Sequence, residues 1–183
     1  VPSKKWKKRT LKQNWYAGET LIAGIGQGYV LSTPLQLAIM TARIANNGKK
    51  VEPTFLLSES NQTDKQIDIN PSYIDLVKKA MFKVVNEQRG TAFKSKSNNY
   101  VFSGKTGTSQ VKRISLEERE SEDFRKIEKK WKDKDHALFV GYMPSDKPKY
   151  SISVVVEHGG SGASTAAPIA KNIFNYLYKI NLV

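Results

Sequence analysis

The chain has 183 residues, with 30 lysines and arginines against 17 acidic residues, for a formal net charge of +13. It has no cysteine, which excludes disulfide scaffolds, thiol nucleophiles and cysteine-ligated zinc. Two histidines are too few for a multi-histidine metal site, and no cofactor motif is read. An apolar content of 39% with 10% aromatics excludes a disordered composition and predicts one domain of ordinary size. No apolar run approaches the ~20 residues of a membrane span, and no signal peptide opens the chain. The start at Val1 rather than methionine points to a piece of a longer protein.

Residues 1–20 are basic and aromatic and are predicted to be irregular, with Trp6 and Trp15 anchoring a solvated lysine loop. Gly24-Ile25-Gly26-Gln27-Gly28 is too glycine-rich for a regular element. Thr33-Pro34-Leu35-Gln36 then has the form of a capping box with proline at the first helical position. The helix that follows is mostly apolar, is predicted to be well buried, and ends at Asn46-Asn47-Gly48. Val51–Leu57 reads as short and extended, broken by Pro53, and Asn61–Asp68 as a polar loop. Ser72 is expected to cap a second helix, whose face is Ile74, Val77, Met81, Val84 and Val85, with Gly90 as the stop.

Tyr100–Ser103 leads into a predicted strand through Val111. Lys112–Asp135 is a charge run of nine basic and eight acidic residues. Its Ser115-Leu116-Glu117-Glu118 capping box, its Phe124–Ile127–Trp131 stripe and its four-apart Glu–Lys pairs predict an inserted amphipathic helix within Ser115–Lys132. His136–Met143 and Tyr150–Glu157 read as an antiparallel hairpin closed at Pro144–Lys149. A glycine-rich turn, His158–Ser164, precedes a closing helix, Ala166–Lys179, expected to bury Ile169, Ile173, Phe174 and Leu177. His158 reads as a turn residue and Glu157 as a strand-end charge.

Several motifs invite chemistry. Gly104-Lys105-Thr106 is not a phosphate loop, because Asn99 stands where the loop's first glycine belongs and a strand surrounds the triplet. Gly24–Gly28 is not a dinucleotide fingerprint, because Tyr29 occupies the place of the third glycine. The better unit is Ser103-Gly104-Lys105-Thr106-Gly107-Thr108-Ser109-Gln110-Val111, which closely resembles the active-site strand of the class B penicillin-binding transpeptidases. Gly24–Tyr29 with Ser32–Gln36 resembles the glycine–glutamine element and helix start of those enzymes. Gly90-Thr91-Ala92 resembles the segment that leads into their strand. The hairpin, the Gly159–Ser164 turn and the last helix extend the resemblance over nearly the whole chain. Trp6–Arg9 and Asn14-Trp15-Tyr16 are most similar to the penicillin-binding protein 2 group, the enzymes of cell elongation.

The resemblance implies an α/β (α+β) architecture: a partial serine-β-lactamase/transpeptidase-like fold with an antiparallel sheet and flanking helices. Residues 1–183 would be the C-terminal portion of one such domain, mainly helical over 1–95, with the Lys-Thr-Gly strand, insert, hairpin and last helix in 96–183. The implied activity is D,D-transpeptidation of peptidoglycan stem peptides through a serine acyl-enzyme that β-lactams trap. Lys105 would supply positive charge for the substrate carboxylate and assist proton transfer. Thr106 would bond that carboxylate, Gly107 would allow close approach, and Thr108 would give its backbone N–H to the oxyanion hole. Lys105 and Thr108 are thus the implied catalytic residues.

The sequence departs from the family pattern at the other two motifs. Ser109-Gln110-Val111-Lys112 spells Ser-x-x-Lys but follows directly on the Lys-Thr-Gly strand. Ser97-Asn98-Asn99 spells Ser-x-Asn but lies just before it. Neither is taken as functional, so the isolated chain is expected to be inactive. Gln27 is read as architectural rather than substrate-binding. Implied partners are stem peptides, β-lactams and the cell-elongation machinery, at the periplasmic face of the bacterial inner membrane, with no nucleic acid. Sheet faces around Val101, Leu138, Val140, Ile152 and Val154 are expected to be partly uncovered and to favour self-association. The rival readings are a related D,D-carboxypeptidase or β-lactam sensor, a basic module for nucleic acid or an anionic surface, and a purely structural or partner-binding piece.

Overall fold

The computed structural model describes residues 2–56, 65–111, 120 and 130–180. The chain forms two compact units, Val1–Thr33 and Pro34–Val183.

The first unit holds two short helices, α1 (Lys4–Leu11) and α2 (Ala17–Gly24), where the sequence predicted irregular chain. Helices of eight residues are marginal alone, so local caps and tertiary partners must hold them. The Ser3 hydroxyl accepts the Trp6 N–H (3.1 Å), and the Tyr16 N–H donates to Glu19 Oε2 (2.8 Å). The Lys7 side chain is only 1% exposed and forms an ion pair with Glu19. Its ammonium sits over the rings of Tyr16 (4.8 Å) and Tyr29 (5.5 Å), and Trp6 packs on Tyr29 (5.4 Å). Of the basic cluster, then, one lysine is the centre of the unit rather than part of a solvated face. After α2 the chain turns at Gly26 and Gly28, both in the left-handed region.

The second unit begins with α3 (Pro34–Ala45), which ends as its sequence predicts, with Asn47 and Gly48 at positive φ. It is not buried all round: Thr41 and Ala45 are covered, while Leu35 and Met40 face outward. Helix α4 (Pro71–Asn86) is capped by Asn70 rather than Ser72. Pro71 lacks an N–H and takes the first helical position, so the cap falls two residues before Ser72, with the Ser72 N–H donating to Asn70 Oδ1 (3.0 Å). Helix α4 buries Ile74, Met81 and Val85, whereas Val77 is 42% exposed. The chain then reverses at Gly90, where a Cβ would lie 2.2 Å from the Val84 carbonyl oxygen.

Three strands follow: β1 (Ser103–Ser109), β2 (His136–Met143) and β3 (Tyr150–Val156). They form an antiparallel sheet in the order β1-β2-β3, so the predicted hairpin is present. The first strand is shorter than predicted: Tyr100 and Phe102 are buried ahead of it and Val111 lies beyond it. The predicted charged helix within Ser115–Lys132 lies outside the described residues except for Glu120 and Lys130–Lys132; Trp131–Asp133 forms a single 3-10 turn.

The closing helix α5 (Ala167–Lys179) follows a one-turn π segment, Gly162–Ala166. It buries Ala167, Ala170 and Phe174 and packs Leu177 against the same core, as predicted for Phe174 and Leu177, while Ile169 and Ile173 are 40% and 43% exposed, contrary to the predicted face. The alanines let the helix lie close to the sheet, and that closeness outweighs the larger side chains in choosing the face. One core joins these residues to Val85, Phe102, Phe139, Met143 and Val154. A second joins Tyr142 to Ala45 and Met81. The sheet faces are partly uncovered, as expected, except at Val154. Val154 is buried and Leu138, Val140 and Ile152 are half-buried; Val101, at 47%, remains exposed.

Candidate functional site

The site is built on β1, an edge strand of the sheet among the described residues. Its local sequence carries two glycines, Gly104 and Gly107, and the first has a clear steric reason. Gly104 pairs with Gly141 across the sheet, and a Cβ on Gly104 would lie 2.2 Å from the Phe139 ring. A Cβ on Gly141 would lie 2.8 Å from the same ring. The two glycines therefore seat the Phe139 ring, and the strand is anchored on the first core just before the candidate residues begin.

Lys105, Thr106, Gly107 and Thr108 stand opposite Val140, Phe139, Leu138 and Ala137. Lys105 and Thr108 are exposed; Thr106 and Gly107 are half-buried. Lys105 Nζ donates to the Thr106 carbonyl oxygen at 2.6 Å, so the ammonium lies along the edge of its own strand. The Thr106 hydroxyl pairs with the Thr91 hydroxyl at 2.8 Å. Thr91 is delivered by the reversal after α4, which the Gly90 N–H to Glu87 and the Ala92 N–H to Val84 hold at 2.8 Å and 3.0 Å. Asn86 Nδ2 donates to the Phe102 carbonyl oxygen at 3.0 Å and ties the helix end to the approach of β1. An ammonium beside hydroxyl groups on a strand edge is suited to a small anion, and most directly to a carboxylate.

The close backbone approach expected at Gly107 comes from a different glycine. A Cβ on Gly107 meets Leu138 Cβ at 3.2 Å, which is merely tight. A Cβ on Gly162 would lie 2.4 Å from the Gly107 oxygen and 2.3 Å from the Leu138 oxygen. The π segment that opens at Gly162 therefore rests directly on the backbone of β1 and β2. Nothing in the local pattern at 159–164 marks which glycine does this.

The serine look-alikes occupy ordinary places. Ser97 Oγ accepts the Asn99 N–H at 3.2 Å in a local turn. Ser109 ends β1 opposite His136, and Lys112 lies outside the described residues. Gly104-Lys105-Thr106 lies in a strand rather than at a helix N-terminus, which agrees with setting aside the phosphate-loop reading. Ser103 Oγ pairs with Ser145 Oγ at 2.8 Å, and burial pushes the neighbouring Tyr142 phenol above its usual range.

Two pairings were not visible in the sequence. Thr91 with Thr106 joins residues 15 apart through the α4 reversal. His136 with His158 joins the start of β2 to the turn after β3, where Trp131 also packs on His158 (4.5 Å).

The family described as "Penicillin binding protein transpeptidase domain" matches residues 5–175. The chain is 40% identical over 185 residues to a peptidoglycan D,D-transpeptidase MrdA of Acinetobacter baumannii, covering 96% of the chain and 26% of that protein. It is 36% identical over 190 residues to MrdA of Salmonella typhimurium, covering 97% and 30%. Among solved structures, Pseudomonas aeruginosa PBP2 in complex with WCK 5153 superposes with a TM-score of 0.75 at 38% identity, over 95% of this chain and 35% of that one. Helicobacter pylori PBP2 in complex with MreC gives 0.80 at 30% identity, over 100% and 31%. The chain thus spans about a third of the length of the relatives it matches.

Proposed function

Because the chain belongs to the penicillin-binding protein transpeptidase domain family, we propose that it is the Lys-Thr-Gly-bearing part of a peptidoglycan D,D-transpeptidase of the cell-elongation type. The observation that carries this is the edge strand β1. It presents Lys105 and Thr108 outward, with the Thr106 hydroxyl beside that of Thr91.

In this reading the D-Ala-D-Ala end of a stem peptide lies along the β1 edge. Its terminal carboxylate takes the Lys105 ammonium from the Thr106 carbonyl and accepts the Thr106 hydroxyl. The penultimate carbonyl then points its oxygen toward the Thr108 backbone N–H. Attack by the family's serine forms the acyl-enzyme and releases D-alanine, and an amine of a second stem takes the acyl group. One oxyanion-hole donor is worth roughly 10²–10³ in rate. The strand must therefore hold Thr108 to within a few tenths of an ångström, which is the service that the Gly104–Phe139 and Gly162–Gly107 contacts provide. A β-lactam would present its carboxylate to the same groups.

The setting proposed is the periplasmic face of the inner membrane, as part of the elongation machinery. The complex of the Helicobacter pylori relative with MreC supports this partner class. Among the described residues no helix is long and apolar enough to cross a membrane.

Amide chemical-shift titration of the chain with diacetyl-L-Lys-D-Ala-D-Ala tests the reading. Shifts should centre on Lys105–Thr108 and Thr91, and both Lys105→Ala and the methyl ester of the peptide should abolish them. Equal shifts with the methyl ester, or none on β1, would refute the carboxylate assignment.

A further inference from the structure

A histidine pair sits at the end of β1 where Thr108 and Ser109 stand opposite Ala137 and His136. The His158 backbone N–H donates to His136 Nδ1 at 2.9 Å. An acceptor nitrogen carries no proton, so His136 is the neutral tautomer protonated at Nε2. His158 Nδ1 faces the Lys134 carbonyl oxygen at 3.0 Å. A carbonyl only accepts, so this nitrogen is N–H. The two rings meet edge-on with centroids 4.8 Å apart, and Trp131 packs on His158 at 4.5 Å. The Gly160 N–H closes the same junction on the Asp135 carbonyl at 2.8 Å. Three hydrogen bonds thus staple the lead-in to β2 onto the turn that follows β3.

That turn leads on to Gly162, which lies against the backbone of Gly107 and Leu138. His158 itself is held at φ 53, a left-handed conformation uncommon for non-glycine residues though one that histidine tolerates better than most. The staple holds it there.

We propose that His136 and His158 are positioning residues that set the Gly162 turn against the Gly107–Thr108 backbone, and that protonation of His136 releases them. A proton on His136 Nδ1 turns the acceptor into a donor facing the His158 N–H, so the bond is lost and the two dipoles repel. A proton on His158 enters at Nε2 and leaves the Lys134 bond intact, with the imidazolium beside the Trp131 ring. The two histidines are therefore not equivalent, and His136 is the one that opens the junction. Among the described residues, the charged groups on the segments that meet at the pair are Lys132, Asp133, Lys134 and Asp135 before β2 and Glu157 just after β3; the β1 partner, Ser109, is neutral. Asp135 Oδ1 accepts the Val111 N–H at 3.4 Å, which links the same junction to the chain beyond β1. This placement rests on geometry within the described residues and stands whatever anion β1 binds.

The test is ¹⁵N nuclear magnetic resonance of the intact chain from pH 8 to pH 5, the range over which imidazoles ordinarily titrate. At pH 8 the ring nitrogens should report Nε2–H for His136 and Nδ1–H for His158. On acidification the amides of His158, Gly160, Gly162 and Gly107 should shift with the same midpoint as the His136 ring. The exchange protection factor of the His158 amide should fall about five- to tenfold, as expected for one lost hydrogen bond. His136→Asn keeps an acceptor at the Nδ1 position and cannot titrate, so it should hold the pH 8 spectrum of these amides throughout. The proposal is overturned if His136 titrates without moving Gly162 and Gly107. It is equally overturned if the His136→Asn protein keeps the pH dependence, or if His136 takes up no proton by pH 5.

Discussion

Lys7 shows how one side chain can reverse the meaning of a sequence stretch. In a run of lysines and arginines it reads as one more solvated cation. In the fold it is buried, paired with Glu19 and enclosed by Tyr16 and Tyr29. The hydrogen bond from Lys7, followed by that from the Tyr16 N–H, holds the Glu19 carboxyl below the usual carboxylate range. The hydrogen bond to Glu19 holds the Lys7 ammonium above its own range. Glycines make the opposite point, since their value lies in what they lack. Gly104→Ala and Gly162→Ala should each destabilise the chain by roughly 1–3 kcal/mol or more through overpacking against Phe139 and against backbone. Gly107→Ala, with only a 3.2 Å contact to Leu138, should cost clearly less. Urea denaturation of the three variants checks the order, and a Gly107→Ala protein as unstable as Gly162→Ala would contradict it.

At the scale of elements, α3, α4 and α5 were located from the sequence while α1 and α2 were not, and the buried faces were read only in part. Periodicity placed α5 and chose Phe174 and Leu177 correctly, but it also put Ile169 and Ile173 on the buried side, where Ala167 and Ala170 pack instead. Phe174→Ala should therefore cost about 3–5 kcal/mol, and Ile173→Ala no more than about 0.5 kcal/mol, as for an ordinary surface position. Thermal melts of both variants decide, and comparable losses would restore the periodicity reading. The start of α4 carries a similar test. Asn70→Ala removes the acceptor of the Ser72 N–H and should lower stability by about 1 kcal/mol. Ser72→Ala loses only the exposed hydroxyl bond to Asn70 and should be milder. If Ser72→Ala proved the more damaging, Ser72 would be the cap after all.

The two compact units differ in what holds them. Pro34–Val183 has two apolar cores. In Val1–Thr33 the buried side chain among the described residues is that of Lys7, so electrostatics carries more of the load there. The pH window follows from the directions of the two shifts. The Glu19 contribution is present above the unfolded carboxylate value of about 4.3 and is lost as pH falls through the lowered folded value. The Lys7 contribution is present below the unfolded value of about 10.4 and is lost as pH rises through the raised folded value. The first unit should therefore be most stable between these limits and lose α1 and α2 in acid. Indole signals of Trp6 and Trp15 report this unit, and their acid transition should vanish in Glu19→Gln. A transition unchanged in that variant would rule out the pair as its origin.

The candidate site was legible because its chemistry is contiguous. Ser103 to Val111 carries an ammonium, two threonines and two glycines in one stretch, and a strand presents a contiguous stretch in the order it is written. The hairpin was legible because its alternating apolar run reports burial directly. Relations between distant segments were not, because they depend on where packing brings backbone together. Thr91 reaches Thr106 only through the reversal at Gly90, and Lys7 is buried only because Glu19 and two tyrosines close around it. Gly162 reaches Gly107, and His136 takes the N–H of His158, only once β2 and β3 are paired and the last helix has docked. The order of residues alone specifies which groups the strand edge offers; the docking of helices and turns against that strand decides which way they point and how firmly they are held.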